Sequence, residues 1–188
     1  MKRLLPLLLG LLAAAVTTGA AAESAVAHGI VQNDVDGGAG SLQPASLPTA
    51  DRAVVRKSER RMYLMNHGTV LRSYRVALGL MPEGSKERAG DFRTPEGSYR
   101  LGRRNVHSDY FLSIQVSYPN ADDMKRARRN RWQAGGSIMV HGLPNNLRHA
   151  PDYYATADWT DGCIALSNAD MVEFWLLSQD NMPIDITP

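Results

Sequence analysis

Residues 159–166 read Trp-Thr-Asp-Gly-Cys-Ile-Ala-Leu and contain the single cysteine of the chain, Cys163. The apolar residues that begin at Ile164 predict a short buried strand, which places Cys163 where a loop enters that strand. Gly162 lets the backbone turn sharply just before the cysteine, so that consecutive N–H groups can converge beside the sulfur. Such a pair of donors is what an oxyanion hole requires. The stretch therefore predicts a strand edge that carries a candidate nucleophile.

A histidine ends a second apolar stretch, because residues 138–142 read Ile-Met-Val-His-Gly. The thiolate is the nucleophilic form of a cysteine, and a nearby imidazole can take the thiol proton or balance the thiolate as an imidazolium. The separation of 22 residues between His141 and Cys163 fixes no distance, so the two must meet in space. From the residues alone, two alternatives stay open. Cys163 can be a small buried apolar residue, and His141 a hydrogen-bonded core histidine.

The rest of the pattern is typical of a mainly β domain, sandwich-like or barrel-like, with one or two short helices. A helix is expected after Asn120, a plausible N-cap followed by two aspartates and then by basic residues, and a second at about 168–179. Asn66-His67-Gly68 is typical of a hairpin turn. Short β-prone runs predict strands at 53–57, 61–66, 69–78, 98–101, 112–118, 138–140, 164–166 and 184–186.

The N-terminus has the layout of a secretory signal peptide. Two basic residues precede an apolar core at 4–16, and Ala20-Ala21-Ala22 offers a cleavage site. An uncleaved anchor is the alternative, but the second half of this stretch is Ala, Thr and Gly, which favours cleavage. We expect residues 1–22 to be removed, residues 23–50 to form a flexible leader, and 51–188 to form the folded domain. The protein is then periplasmic, with no stable membrane insertion after cleavage.

Charge and cysteine content limit the possible functions. The chain has 188 residues, with 21 basic and 19 acidic side chains and a net charge of +2, which argues against a nucleic-acid binder. The basic cluster at 125–131 is more often a solvated helix face than a polyanion site. One cysteine excludes an intrachain disulfide and a multi-thiolate zinc site. The five histidines lack the HExxH spacing of a metal-dependent peptidase, so we expect no metal and no cofactor.

Taken in order, these motifs resemble the L,D-transpeptidase catalytic domains of the YkuD type. The resemblance rests on Val140-His141-Gly142 and on Thr160 to Leu166, within the branch that reads GCIAL. It extends to the glycine-containing and TPxG-containing segment at 86–99 and to Ser117-Tyr118-Pro119-Asn120, and it covers about residues 51–188. It implies a β-rich fold and a cysteine acyltransferase of the bacterial cell wall.

The resemblance also implies roles for individual residues. Cys163 is the nucleophile and His141 the base, the Gly142 carbonyl orients the imidazole, and Gly162 and Cys163 supply the oxyanion N–H groups. Two positions depart from the common pattern, because Asp161 stands where many members have histidine and Ala165 where many have arginine or asparagine. Alanine cannot hold a substrate carboxylate as arginine does. Further candidates are Thr160 and Asp161 for positioning, and Arg93, Lys86, Trp159 and Tyr154 for substrate binding.

The implied reaction starts with attack by Cys163 on a peptidoglycan stem peptide, at the carbonyl between its third residue and the terminal D-alanine. D-alanine leaves, and an amine from a second stem resolves the thioester as a 3–3 cross-link. Water as acceptor gives an L,D-carboxypeptidase. Attack on a stem already joined to another amine gives a hydrolase of cross-links or of protein–wall links. A non-catalytic wall-binding module is the remaining alternative.

Three structural expectations follow. His141 and Cys163 should lie within about 2.6–3.2 Å, directly or after a small rearrangement. The segment 143–159 should be a loop that shapes the donor cleft. The carboxylate of Asp161 should either point away and pair with an upstream Arg or Lys, which we prefer, or pair with His141. No Lys or Arg lies in residues 149–188, so a cation for the thiolate has to come from elsewhere in the fold.

Overall fold

A computed structural model describes residues 48–188 of the chain. The predicted signal peptide and residues 23–47 of the predicted leader lie outside the described residues. Eight strands and three helices follow in this order: β1 (Arg52–Arg56), β2 (Arg61–Asn66), β3 (Thr69–Arg75), β4 (Gly97–Ser108), β5 (Phe111–Val116), α1 (Ala121–Arg129), β6 (Met139–His141), α2 (Pro151–Thr156), β7 (Ile164–Ala165), α3 (Asn168–Leu177) and β8 (Pro183–Thr187).

The strands form one sheet in the order β3-β2-β1-β8-β4-β5-β6-β7. Most neighbours are antiparallel, but β8 runs parallel to β1, and β7 runs parallel to β6. An isolated antiparallel bridge joins Ala77, just after β3, to Ala165 in β7. This bridge brings the two ends of the sheet together, so the mainly β, barrel-like prediction is confirmed. It also holds β7, which follows Cys163, from both sides.

Both predicted helices are present. The side chain of Asn120 accepts hydrogen bonds from the N–H groups of Asp122 and Asp123, and the Asp123 carboxylate accepts from the Asn120 N–H, which completes a capping box. The second predicted helix, α3, ends two residues earlier than expected. It buries Phe174, whose ring packs edge-on against Tyr74 at 6.4 Å between centroids. Because α3 begins three residues after β7, this packing anchors the strand that follows the cysteine.

Two sequence predictions need correction. The segment 143–159 is not a plain loop, since it contains α2, which begins at Pro151 and has no side-chain N-cap. Six residues are too few for an apolar stripe to be read from the sequence. The strand predicted at 98–101 extends to Ser108, because β4 pairs first with β8 and then with β5. Most of its residues beyond Leu101 are exposed or half-buried, so the alternation that marks a strand is weak there.

A buried lysine holds the segment that leads to the site. The ammonium of Lys57 donates to the carbonyl oxygens of Gly84 and Thr94, at 2.5 and 3.2 Å, and pairs with Glu96 at 2.7 Å. Its side chain is only 3% exposed. Removing one partner of such a buried pair leaves an unpaired charge in the interior, which destabilises the fold. The polar residues of the TPxG segment therefore fix the loop between β3 and β4.

Candidate active site

His141 ends β6, which lies between β5 and β7. Its Cα is paired with Ser113 of β5 on one side and with Ala165 of β7 on the other. The ring is buried, and Nδ1 lies 2.7 Å from the carbonyl oxygen of Gly142. Because a carbonyl oxygen can only accept, Nδ1 carries the proton and Nε2 keeps a free lone pair. Burial lowers the pKa of His141 to about 4, against the raising effect of the Gly142 carbonyl, so the imidazole is a neutral base.

Cys163 lies one residue before β7 and is half-buried. Its thiol donates to the carbonyl oxygen of Ser137 at 3.6 Å, and the N–H of Met139 donates to the sulfur. Burial and the charge of Asp161 raise the pKa of the Cys163 thiol. The Met139 N–H and the charge of Lys86 lower this pKa, but the raising effects are larger, so the pKa lies above its ordinary value. The cysteine at rest is therefore a neutral thiol.

His141 and Cys163 line one cleft of about 740 Å³. Among residues 48–188, however, no hydrogen bond joins the imidazole to the thiol, because the thiol proton is directed at Ser137 instead. Of the two arrangements that the sequence predicts, a direct hydrogen bond or one formed after a small rearrangement, the direct bond is absent between these described residues. Rotation of the Cys163 side chain away from Ser137 is the small rearrangement that the prediction still requires.

Thr160 organises the turn before the cysteine. Its hydroxyl donates to the Cys163 carbonyl oxygen at 2.8 Å and accepts from the Gly162 N–H at 3.1 Å. Gly162 has φ +127, and a Cβ there would lie 2.5 Å from the Arg93 carbonyl oxygen, so only glycine fits. The expectation that the Gly162 N–H serves as an oxyanion donor is therefore not met in this arrangement, because that N–H is already bonded. The Cys163 N–H donates to no acceptor within the described part of the chain.

Aromatic rings surround the imidazole. The Tyr110 ring lies 4.6 Å from that of His141, and the Trp159 ring lies 5.6 Å from it edge-on. Both side chains line the cleft. Tyr154 is buried behind Trp159, at 5.2 Å between ring centroids, and its hydroxyl accepts from the Arg148 N–H. Tyr154 therefore supports the wall of the cleft and does not line it.

The predicted charged residues divide into those inside the cleft and those outside it. Lys86 lines the cleft, whereas Arg93 does not; its guanidinium lies beside Gly84 and 3.9 Å from Glu87. Asp161 lines the cleft and is exposed. Within residues 48–188 it forms no ion pair with Lys, Arg or His141, so both pairings expected for it are wrong. It acts on the thiol through space.

Sequence reasoning missed several residues of the cleft. Tyr110 lies in the tight turn between β4 and β5, where no periodicity marks a site. Ser137 and Met139 contact the sulfur through their backbones, which side-chain identity does not reveal. The Gly135-Gly136 pair lines the cleft just before Ser137. Adjacent glycines often mark a close approach of the backbone, so this pair could have indicated that residues 135–139 contribute to the site.

The described residues include no group of three or more His, Cys, Asp or Glu side chains placed to hold a metal ion. Within the same range, none of the helices has the length and apolar character needed to cross a membrane.

Comparison with known families assigns the domain that carries this cysteine and histidine. Residues 50–186 match the L,D-transpeptidase catalytic domain, YkuD. The chain therefore belongs to the YkuD family of L,D-transpeptidase catalytic domains, as the sequence motifs predict.

Individual relatives support the same family. The putative L,D-transpeptidase YafK of Escherichia coli K12 is 35% identical over 75 residues, which are 39% of this chain and 28% of that protein. The crystal structure of the helical cell shape determining protein Pgp2 from Campylobacter jejuni is similar, with 26% identity and a TM-score of 0.55 over 74% of this chain and 48% of that one. Bdellovibrio bacteriovorus Bd1075 shares the fold, with 22% identity and a TM-score of 0.50 over the same shares of the two chains. The matches thus cover less than half the length of these relatives.

Proposed function

We propose that the protein is a cysteine acyltransferase that acts on peptidoglycan stem peptides, with Cys163 as nucleophile and His141 as general base. The observation that carries the proposal is the hydrogen bond from Nδ1 of His141 to the Gly142 carbonyl oxygen. It leaves Nε2 as a proton acceptor on a neutral ring in the cleft that also holds the thiol. Membership of the L,D-transpeptidase family supplies the substrate class.

The proposed first step conserves atoms and charge. His141 Nε2 takes the thiol proton as the Cys163 sulfur attacks the carbonyl between the third stem residue and the terminal D-alanine. The S–C bond forms, the C–N bond breaks, and the imidazolium gives its proton to the leaving amine. The Cys163 N–H is the donor proposed for the oxyanion. The amine of a second stem then attacks the thioester carbonyl. The C–N bond of the 3–3 cross-link forms, the S–C bond breaks, and His141 takes the amine proton and returns it to the Cys163 sulfur.

The donor and the acceptor together separate the related activities. When the donor ends in D-alanine, an amine acceptor gives a 3–3 cross-link and water gives an L,D-carboxypeptidase. When the donor is a stem already joined to another amine, water gives a hydrolase of links. One experiment distinguishes them. The purified protein is incubated with tetrapeptide muropeptides and, separately, with 3–3 cross-linked muropeptide dimers, and both the products and the intact protein are analysed by mass spectrometry.

We expect a Cys163 adduct that corresponds to the stem peptide without D-alanine, followed by 3–3 dimers. Cys163→Ser and His141→Gln are the matched controls, and both should abolish the adduct. Tripeptides without dimers would identify a carboxypeptidase. Neither adduct nor any product from the wild-type protein would refute acyl transfer and favour the wall-binding module.

We also infer that residues 1–22 are a signal peptide, that 23–50 form a leader, and that the domain at 51–188 acts in the periplasm. The basic N-terminus, apolar core and Ala20-Ala21-Ala22 site support this inference. Mass analysis of the protein from a periplasmic extract tests it. A mature chain that begins at Glu23 is expected, and a full-length chain in the membrane fraction would contradict it.

A further inference from the structure

Lys86 is a buried cation in the wall of the cleft. Its side chain is 4% exposed, and its ammonium lies 2.7 Å from the Asp91 carboxylate. That carboxylate also accepts from the N–H groups of Glu87, Arg88 and Arg93, at 2.7 to 3.2 Å. Asp91 therefore folds the 86–93 loop around itself and fixes the position of the lysine.

The ammonium of Lys86 has unused hydrogen-bond donors. It carries three N–H groups, and within the described residues only the bond to Asp91 uses one of them. A buried ammonium with unused donors is costly, and a negatively charged ligand removes that cost. Among the described residues that line the cleft, Lys86 is the only Lys or Arg, because Arg93 lies outside it. The other charged side chains there are Asp109 and Asp161.

We propose that Lys86 binds the carboxylate on the leaving residue of the donor and thereby selects donors whose leaving amine belongs to an α-amino acid. This inference rests on the proposed function. Lys86 and Cys163 line the same cleft, so a carboxylate bound by Lys86 lies in the cleft where the scissile bond is attacked. On an α-amino acid the carboxylate is two bonds from the leaving nitrogen, whereas the other stem carboxylates are farther along the chain.

The proposed selection separates the activities that share the acyl-enzyme. A terminal D-alanine carries a carboxylate beside its amine, and so does a cross-link formed through an amino-acid α-amine. The ε-amine of a lysine in a protein–wall link carries none at that distance. A domain with Lys86 in this role therefore favours trimming or cross-linking over release of wall-linked proteins.

The test measures binding, so that it does not depend on turnover. In a Cys163→Ala background, calorimetry gives the dissociation constants of a tetrapeptide stem that ends in D-alanine and of the same stem that ends in D-alaninamide. We expect the free carboxylate to bind about tenfold tighter or more, as for a charge-assisted hydrogen bond. A stem capped by the ε-amine of lysine should bind as weakly as the amide.

The double variant Lys86→Met/Asp91→Asn removes both charges and so leaves no buried carboxylate unpaired. In it the ratio of the two dissociation constants should fall to about one. Lys86→Arg should retain a preference, and Arg93→Met, the matched control outside the cleft, should retain it in full. An unchanged ratio in the double variant, or an equal loss of affinity for both peptides, would overturn the proposal.

The two hypotheses fail separately. If acyl transfer is absent but the Lys86-dependent ratio persists, the proposed function is wrong and the carboxylate site stands. If acyl transfer occurs with a ratio near one, only the carboxylate site is wrong. If neither peptide binds, the carboxylate site is wrong, and the muropeptide experiment alone decides whether acyl transfer occurs.

Discussion

Replacing His141 by glutamine is expected to abolish turnover yet leave the pH at which resting Cys163 reacts with iodoacetamide almost unchanged. The pKa of His141 is about 4, and burial raises the pKa of Cys163 above its ordinary value of 9.0. At 1.36 kcal/mol per pKa unit, transfer of the proton from sulfur to imidazole is unfavourable by about 7 kcal/mol or more. Contact between the two charges would return about 4 kcal/mol at an effective dielectric constant near 20. Fewer than about one molecule in a hundred then holds the ion pair.

The assay uses the fact that Cys163 is the only cysteine, so every alkylated chain reports on one thiol. Alkylation rates between pH 6 and pH 10 should be low at neutral pH and rise together in the wild-type and His141→Gln proteins. Loss of activity in the variant, with matching circular dichroism, confirms that the imidazole matters only during the reaction. A fast plateau below pH 7 in the wild type that vanishes in the variant would show a preformed ion pair and refute the reasoning. Slow resting alkylation does not by itself identify a binding module.

Three further predictions concern stability and the cleft wall. Gly162→Ala should lower the free energy of unfolding by at least about 2 kcal/mol in urea titrations, because its Cβ would meet the Arg93 carbonyl at a positive φ; a neutral result would contradict the geometry. The pKa of His141 falls from 6.5 to about 4 on folding, so between these pH values the unfolded state binds more protons than the folded state. The free energy of unfolding should therefore fall by about 3 kcal/mol as the pH is lowered through this window. In the His141→Gln variant, the free energy of unfolding should depend less on pH there. Trp159→Ala should lower kcat/KM by about tenfold or more, because Trp159 lines the cleft. The control Tyr153→Ala removes a ring that packs on His149 outside the cleft and should change kcat/KM by less than about twofold. Equal effects of the two substitutions would show that Trp159 does not contribute to the site.

The sequence predicts the strands best where one face is buried. Leu112, Ile114 and Val116 alternate with polar residues in β5, and Ile114 and Val116 are buried on either side of the exposed Gln115; Ser113, however, is buried as well. The helix after Asn120 is predicted because a cap is local chemistry, carried by the side chains of Asn120 and Asp123 and by nearby backbone N–H groups. In contrast, α2 is too short for periodicity and starts without a side-chain cap, so nothing in its residues distinguishes it from a loop.

The candidate site is predicted in part for a similar reason. Cys163 and His141 could be singled out because each is a reactive residue type beside a short apolar stretch that predicts a strand. The structure places both in one cleft. The partners of the thiol are backbone groups of Ser137 and Met139, which any sequence could supply. Arg93 and Lys86 look equivalent as cations on one loop, and only the direction of each side chain separates them. Long-range contacts of this kind depend on the fold as a whole, which local pattern does not encode.

The position of β8 determines when the domain can be completed. Its residues pair with β1, about 130 positions earlier in the chain, and with β4. Closing a loop of that length costs more conformational entropy than forming a hairpin such as β2–β3. The pairing of β8 with β1 and β4 is therefore expected to form late in folding. Until residues 183–187 emerge from the ribosome, β1 and β4 each present an unpaired edge that can recruit other strands. A nascent or shortened chain without this segment is therefore a target for aggregation and proteolysis, although His141 and Cys163 have both been synthesised by then.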